Sequence, residues 1–127
     1  MQKQLNAVKD FHTTFNLGFK ENPTADLGKK VQELRYNLMK EENEEYLEAV
    51  QNNDLTEIAD ALGDMLYILC GTIIEHGLQD KIEAVFDEIQ RSNMSKLGED
   101  GKPIYREDGK VMKGAHYFKP NFTTILK

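Results

Sequence analysis

Apolar residues recur along the chain at helical spacing in four stretches, separated by turn-forming residues. In the first, Leu5, Val8, Phe11 and Phe15 fall three or four apart, one face of a helix that ends near Asn16-Leu17-Gly18. A second begins after Asn22-Pro23, aligns Leu27, Val31, Leu34 and Leu38 on one face, and runs to about Gln51. The third opens at Asp54, whose carboxylate can accept from free backbone N–H groups, and closes at Gly77. Asp80 and Glu83, three apart, predict a capping box for a fourth, which carries Ile82, Val85, Phe86 and Ile89. The third segment is apolar on nearly all sides, which puts it at the centre. Short connections between the later helices favour antiparallel neighbours. The expected class is therefore all-α, with a four-helix-bundle-like core.

The periodicity stops near residue 93. Gly98, Gly101, Pro103, Gly109, Gly114 and Pro120 interrupt any helix beyond it. Asp108-Gly109, between IYRE and KVMK, can turn a short hairpin because the pair tolerates positive φ. Tyr105, Tyr117, Phe118 and Phe122 argue that part of this segment docks. The expected organisation is one domain over 1–127, with a helical core at 1–93 and a loop-rich basic tail at 94–127. A chain of 127 residues has room for one sizeable core.

Composition narrows the setting. The apolar run MLYILCGTII is about half of a ~20-residue membrane span, and the N-terminal MQKQLNAVKDF carries charge where a signal peptide is apolar. Cys70 is the single cysteine, so no disulfide framework forms within the chain. The expectation is a cytoplasmic protein with no membrane partner. Net charge is −6, unevenly spread: 8 basic against 18 acidic side chains in residues 1–90, and 8 against 4 in 91–127. An acidic body with a basic tail is poorly suited to nucleic acid, which needs a continuous positive face. It suits a site where cations and an anionic ligand meet.

The stretch 41–64, EENEEYLEAVQNNDLTEIADALGD, holds nine carboxylates and no lysine, arginine or histidine. On a helix Glu42 and Glu45 share a face, with Glu41 one turn before Glu45, and the Leu38 stripe runs into them. On the next helix Glu57, Asp60 and Asp64 share a face beside Ala61 and Ile68. Carboxylates that face one another in a core cannot all stay ionised without compensation. A hard divalent ion, Mg²⁺ or Mn²⁺, is the natural compensator for all-oxygen ligands. A solvated acidic face is the alternative, and it describes Glu44 and Glu48; Glu57 also has capping-box spacing from Asp54. It does not describe Asp60 and Asp64, which lie within the flank of the most apolar helix.

Other side chains carry weaker signals. His12, Phe15 and Asn16, near the end of the first helix, can form a nucleobase pocket; the alternative is that Phe11 and Phe15 are plain core and His12 a surface residue. Tyr67 reads as core, Cys70 as buried filling and His76 as a helix C-terminal cap.

Glu41-Glu42-Asn43-Glu44-Glu45 followed by Glu57-Ile58-Ala59-Asp60 resembles the EExxE…ExxD signature of the all-α NTP pyrophosphohydrolases, a superfamily that includes MazG proteins, dimeric dUTPases and phosphoribosyl-ATP pyrophosphohydrolases. The flanking LMKEENEEYLEA and EIADALGDMLYILCG agree, and the tail SNMSKLGEDGKPIYREDGKVMKGAHYFKP resembles a MazG-like branch. The similarity covers roughly residues 30–120. A second frame, Glu44-Glu45-Tyr46-Leu47-Glu48, fits less well, since Leu34 and Leu38 continue inward to Glu42 and Glu45.

The resemblance implies hydrolysis of a nucleoside triphosphate to monophosphate and pyrophosphate, of the house-cleaning kind. It implies Glu42, Glu45, Glu57 and Asp60 as ligands of Mg²⁺, with Mn²⁺ as a substitute. Glu41 would bind a further ion or help to activate water, so Glu41 and Glu42 are the catalytic candidates, while Asp64 would orient the site or bind a second metal. Lys96, Lys110 and Lys113 are the phosphate candidates, with Arg91 and Asn93 behind them. A homodimer or dimer of dimers follows from the resemblance and from an apolar helix too large for one small domain to wrap. A phosphoribosyl-ATP hydrolase fits the lysine-bearing tail poorly. A non-catalytic sensor module is disfavoured by the intact motif, and a plain oligomerisation domain leaves the acids unexplained.

Overall fold

The computed structural model describes residues 1–127 and contains four helices: α1 (Gln2–Thr14), α2 (Lys29–Gln51), α3 (Leu55–Glu75) and α4 (Ile82–Met94). There is no strand, and the class is all-α and bundle-like, as the periodicity predicts. The chain divides into two compact units, Met1–Asp80 and Lys81–Lys127. No helix is long and apolar enough to cross a membrane.

In the first unit α3 packs against both α1 and α2, which bears out its central place. Leu5 and Val8 of α1 and Cys70, Ile73 and Ile74 of α3 form the bulkier part of the core. Toward the N-terminal end of α3 the buried residues are small, Ala49 and Ala61. Small side chains let helix axes approach, and this is the end that carries the carboxylates. The three residues Asn52–Asp54 join α2 to α3, with Asn53 at φ 49 reversing the chain. Asp54 then caps α3, accepting the Glu57 N–H at 3.1 Å. Burial also pushes the Cys70 thiol up, as expected of core filling.

Several expectations need correction. Helix α2 starts at Lys29, six residues after Pro23, so Leu27 lies outside it and Gly28, at φ 85, stands at its N-cap. Leu34 is 50% exposed; the inward position one residue on belongs to Arg35. Asp80 does not cap α4, because the helix begins at Ile82 and its N-cap is Lys81, with no side-chain cap bond. His76 is the C-cap of α3, as expected, but through its backbone N–H, which meets Thr72 O at 3.1 Å; its ring turns away, and Nδ1 donates to the Thr24 carbonyl at 2.8 Å. That bond belongs to a set. The α1–α2 connection is held to the C-terminal end of α3 by Lys20 N–H to Ile74 O (3.0 Å), Thr24 N–H to His76 O (2.8 Å) and Gln79 Nε2 to Lys20 O (2.7 Å).

In the second unit the tail docks on α4. Buried Ser92 donates to the Phe118 carbonyl at 2.8 Å, the Phe118 N–H returns to Ser95 Oγ at 3.1 Å, and the Gly114 N–H reaches Lys96 O at 2.9 Å. The short hairpin forms where Asp108-Gly109 predicts it: Arg106 N–H meets Lys110 O at 2.8 Å, Met112 N–H meets Ile104 O at 2.7 Å, and Gly109 sits at φ 89.

Candidate metal centre and active site

The antiparallel pair α2 and α3 brings the acids together as their helical spacing requires. Glu42 and Glu45 on α2 and Asp64 on α3 each offer a carboxylate oxygen, and the three oxygens lie within 4.8 Å of one another. Glu42 Oε2 is buried with no hydrogen-bond partner. Burial, then the hydrogen bond and charge of Glu45, then the charges of Asp64 and Asp60, push the Glu42 carboxyl up to about 7. Burial, with Asp60 and Glu45 adding to it, raises Asp64 as well. Oxygen donors from two helices, one of them orphaned, holding each other toward protonation, are what a hard divalent cation relieves. The donor set therefore fits the ion the acids imply.

Two clefts meet at this cluster. One, of about 390 Å³, is lined by Glu45, Glu48, Asn52, Asp54, Glu57 and Asp60. The other, of about 310 Å³, has Glu42 and Asp64 at one end, Leu38, Tyr67 and Ile68 on its walls, and reaches His12 and Arg35. Glu45 joins the two: it lines the first cleft and belongs to the cluster with Glu42 and Asp64. Glu57 and Asp60 thus face a cleft different from the one that receives Glu42 and Asp64. Glu41 is exposed and lines neither.

The second cleft draws its outer wall from α1. Phe11 stacks tilted on Phe15 (centroids 4.5 Å apart) and edge-on to Tyr67 (5.7 Å), and it lines the cleft. His12 is not a surface residue but 2% exposed; Nδ1 donates to the Gly18 carbonyl at 2.9 Å and stands 3.6 Å from Glu75. Phe15 and Asn16 do not line the cleft: Phe15 is exposed, and Asn16, at φ 59, forms the turn that ends α1. Tyr67, which reads as core, is partly exposed and forms part of the cleft wall.

Arg35 is the residue that sequence reasoning misses. It is 8% exposed, and its guanidinium donates from Nε to Thr72 Oγ1 (3.0 Å) and from NH2 to the Ile68 carbonyl (2.7 Å). Burial lowers its basicity, and Glu75 partly restores it. The signal is present in the sequence as one arginine on the apolar stripe of α2, four residues after Val31 and three before Leu38, with a glycine, Gly71, in the most apolar helix.

The predicted phosphate ligands lie in the second unit. Lys96, Lys110 and Lys113 have no carboxylate within 4.0 Å, and Lys113 Nζ stands 4.8 Å from the Tyr117 ring centroid. Arg91 is engaged elsewhere: it makes a paired bond with Glu88 (2.8 and 3.0 Å) and lies 4.3 Å over the Phe118 ring. Asn93 is exposed, and its carbonyl accepts the Lys96 N–H at 3.1 Å.

Comparison with known proteins bears on the same residues. The chain is 33% identical over 95 residues to an uncharacterised protein of Acanthamoeba polyphaga mimivirus, covering 72% of this chain and 38% of that protein. The chain thus spans about two fifths of this relative's length. The model of the phosphoribosyl-ATP pyrophosphohydrolase family matches residues 8–93, a span that holds both acidic motifs, Arg35 and both clefts. By that match the chain belongs to the phosphoribosyl-ATP pyrophosphohydrolase family, within the all-α NTP pyrophosphohydrolase superfamily.

Proposed function

We propose that the protein is a cytoplasmic, Mg²⁺-dependent nucleoside triphosphate pyrophosphohydrolase of the MazG-like branch, acting on a deoxy- or non-canonical nucleotide. The observation that carries this reading is the convergence of Glu42, Glu45 and Asp64 within 4.8 Å, with one buried oxygen unpartnered. Glu42, Glu45 and Asp64 would hold Mg²⁺, with Glu57 and Asp60 as candidates for a further ion from the adjoining cleft. When bound, the ion supplies charge neutralisation for phosphate oxygens and Lewis acidity. Glu41 and Glu42 are the candidate acceptors for the proton that water loses as its oxygen bonds to phosphorus and the P–O bond to the leaving group, pyrophosphate or nucleoside monophosphate, breaks. Lys96, Lys110 and Lys113, free of acidic partners, serve as point charges for phosphate oxygens. The cleft between Phe11, Tyr67 and His12 has room and ring surface for a nucleobase.

The protein acts as a homodimer or a dimer of dimers. Leu62, Leu66 and Leu69 of the central helix remain 50%, 43% and 44% exposed in the single chain, an apolar face that a second copy would cover. Light scattering at the mass of one chain would refute this.

The deciding experiment is pyrophosphate release across canonical, deoxy- and modified triphosphates and phosphoribosyl-ATP, with Mg²⁺ or Mn²⁺, for wild type, Glu45→Gln and Asp60→Asn. Release from one substrate, lost in both folded variants, is the expected result. Binding of metal and nucleotide without any turnover would instead make the protein a sensor.

A further inference from the structure

Three carboxylates on two helices hold their spacing only if the helices keep their register, and the cluster itself works against that. Glu42, Glu45, Asp60 and Asp64 repel one another. The residues buried nearest to them are alanines, which set a distance between helix axes but offer little against sliding. Apolar side chains pack tolerantly along a groove; directed hydrogen bonds do not.

Such bonds are found two turns away. Seven residues separate Arg35 from Glu42 along α2, and seven separate Asp64 from Gly71 along α3. In an antiparallel pair these equal steps make Arg35–Gly71 and Glu42–Asp64 equivalent rungs, with Leu38 and Ile68 on the rung between, both lining the same cleft. The guanidinium of Arg35 lies in the groove that Gly71 leaves open: a Cβ there would stand 2.4 Å from its NH2 and 3.2 Å from its Cζ. From that groove it bonds Ile68 and Thr72, the residues three before and one after Gly71. Shifting α2 by one residue along α3, about 1.5 Å, would break both bonds.

As a stabiliser, Arg35 is a poor choice. It is desolvated, the charge of Glu75 offsets that only in part, and its hydrogen-bond partners are a carbonyl and a hydroxyl, so an apolar residue of similar length can fill the same groove. What an apolar residue cannot supply is direction.

We propose that Arg35 is a positioning residue for the metal centre, a guanidinium clamp seated over Gly71 that fixes the register of α2 on α3 and so the spacing of Glu42 and Glu45 against Asp64. The inference rests on the metal-site reading above and adds to it the residue that keeps the ligands in place without touching the ion.

The test uses the full chain and Mn²⁺ alone, with affinity measured by calorimetric titration and metal-free melting followed by circular dichroism in chelator. Arg35→Met fills the volume without the bonds; the expected result is Mn²⁺ binding weakened roughly 10–100-fold while the metal-free melting temperature stays or rises. Arg35→Lys keeps the charge but not the planar fork, and is expected to bind as poorly as the Met variant. Gly71→Ala pushes the guanidinium out of its groove and weakens binding in the Arg35 background; combined with Arg35→Met it adds only what its approach to His12 Nε2, at 3.0 Å, costs. Arg35→Met that binds Mn²⁺ as wild type does would overturn the clamp and leave the metal site standing. A melting temperature that falls in step with the affinity would overturn it too, making Arg35 ordinary support. Wild type that binds no Mn²⁺ would overturn the metal-site reading and the clamp with it.

Discussion

Two turns apart on the same pair of helices, α2 and α3 meet in opposite ways. At the Glu42–Asp64 rung the contact is acid against acid, with one oxygen unpartnered and both carboxyls raised. At the Arg35–Gly71 rung a buried base donates to a carbonyl and a hydroxyl, and a glycine makes the room. One contact repels until something is added; the other is complete as it stands. The lesson concerns where stability and function are kept on one interface. On the reading proposed above, the acidic rung is left unsatisfied for an ion, and the geometry it needs is enforced from a place the ion never reaches.

The comparison breaks most sharply if an acid is neutralised. Asp64→Asn or Glu45→Gln is expected to cut pyrophosphate release at least 100-fold, about 2.7 kcal/mol of barrier. The same variants should melt higher than wild type in chelator, since a repulsion is removed. Stopped assays and paired melts check both arms, and a variant that is inactive but melts lower than wild type would contradict the account of the acidic rung.

Lysines offer a second contrast, because their charge is free where that of Arg35 is fixed. Alanine at Lys96 or Lys113 is expected to raise KM for the triphosphate roughly tenfold, the loss of one charge-assisted bond. Neither change should move the Mn²⁺ affinity or the melting temperature, which initial-rate kinetics and titration would show.

A pH series sharpens the comparison further. Glu42 binds its proton more tightly in the folded chain, near 7, than in the unfolded one, where the ordinary value is 4.5. The stability this proton contributes is whole below about 4.5 and is lost as pH rises through about 7. Metal-free protein should therefore melt several degrees lower at pH 8 than at pH 5, and saturating Mg²⁺, which replaces the proton, should remove the fall. A flat metal-free profile would mean that Glu42 is already satisfied.

The smallest effect lies at the start of α3. Asp54→Ala removes the cap on Glu57 N–H and should cost about 1 kcal/mol in urea unfolding, with the acidic rung otherwise intact.

Much of this interface is legible in the amino-acid sequence. The stripe Leu38–Glu42–Glu45 and the acids at Asp60 and Asp64 follow from a 3.6-residue period, and Asp54 and Gly77 mark the ends of α3, because local chemistry decides those features. Arg35 is visible as an arginine on an apolar stripe, but its role is not, since that depends on a glycine 36 residues away that has no local reason to be there. His12 escaped for a similar reason: only the Gly18 carbonyl and the cleft, both tertiary, make it an interior residue. Leu34 was misread because the stripe on α2 admits either of two neighbours inward, and the groove at Gly71 selects the arginine. The second unit shows the converse, its hairpin being dictated by Asp108-Gly109 alone.

The fastening of the α1–α2 connection to the end of α3 has a consequence on the clock. Four hydrogen bonds hold that connection near Lys20 and Thr24, while α1, 13 residues long, is too short to persist as a helix unless it stays docked. Phe11 and His12 therefore stand on a wall hinged at one side, and the amides of α1 should exchange with solvent sooner than those of α3. Whatever fills the cleft against Phe11 and His12 should slow that exchange, which hydrogen–deuterium exchange with and without nucleotide would show.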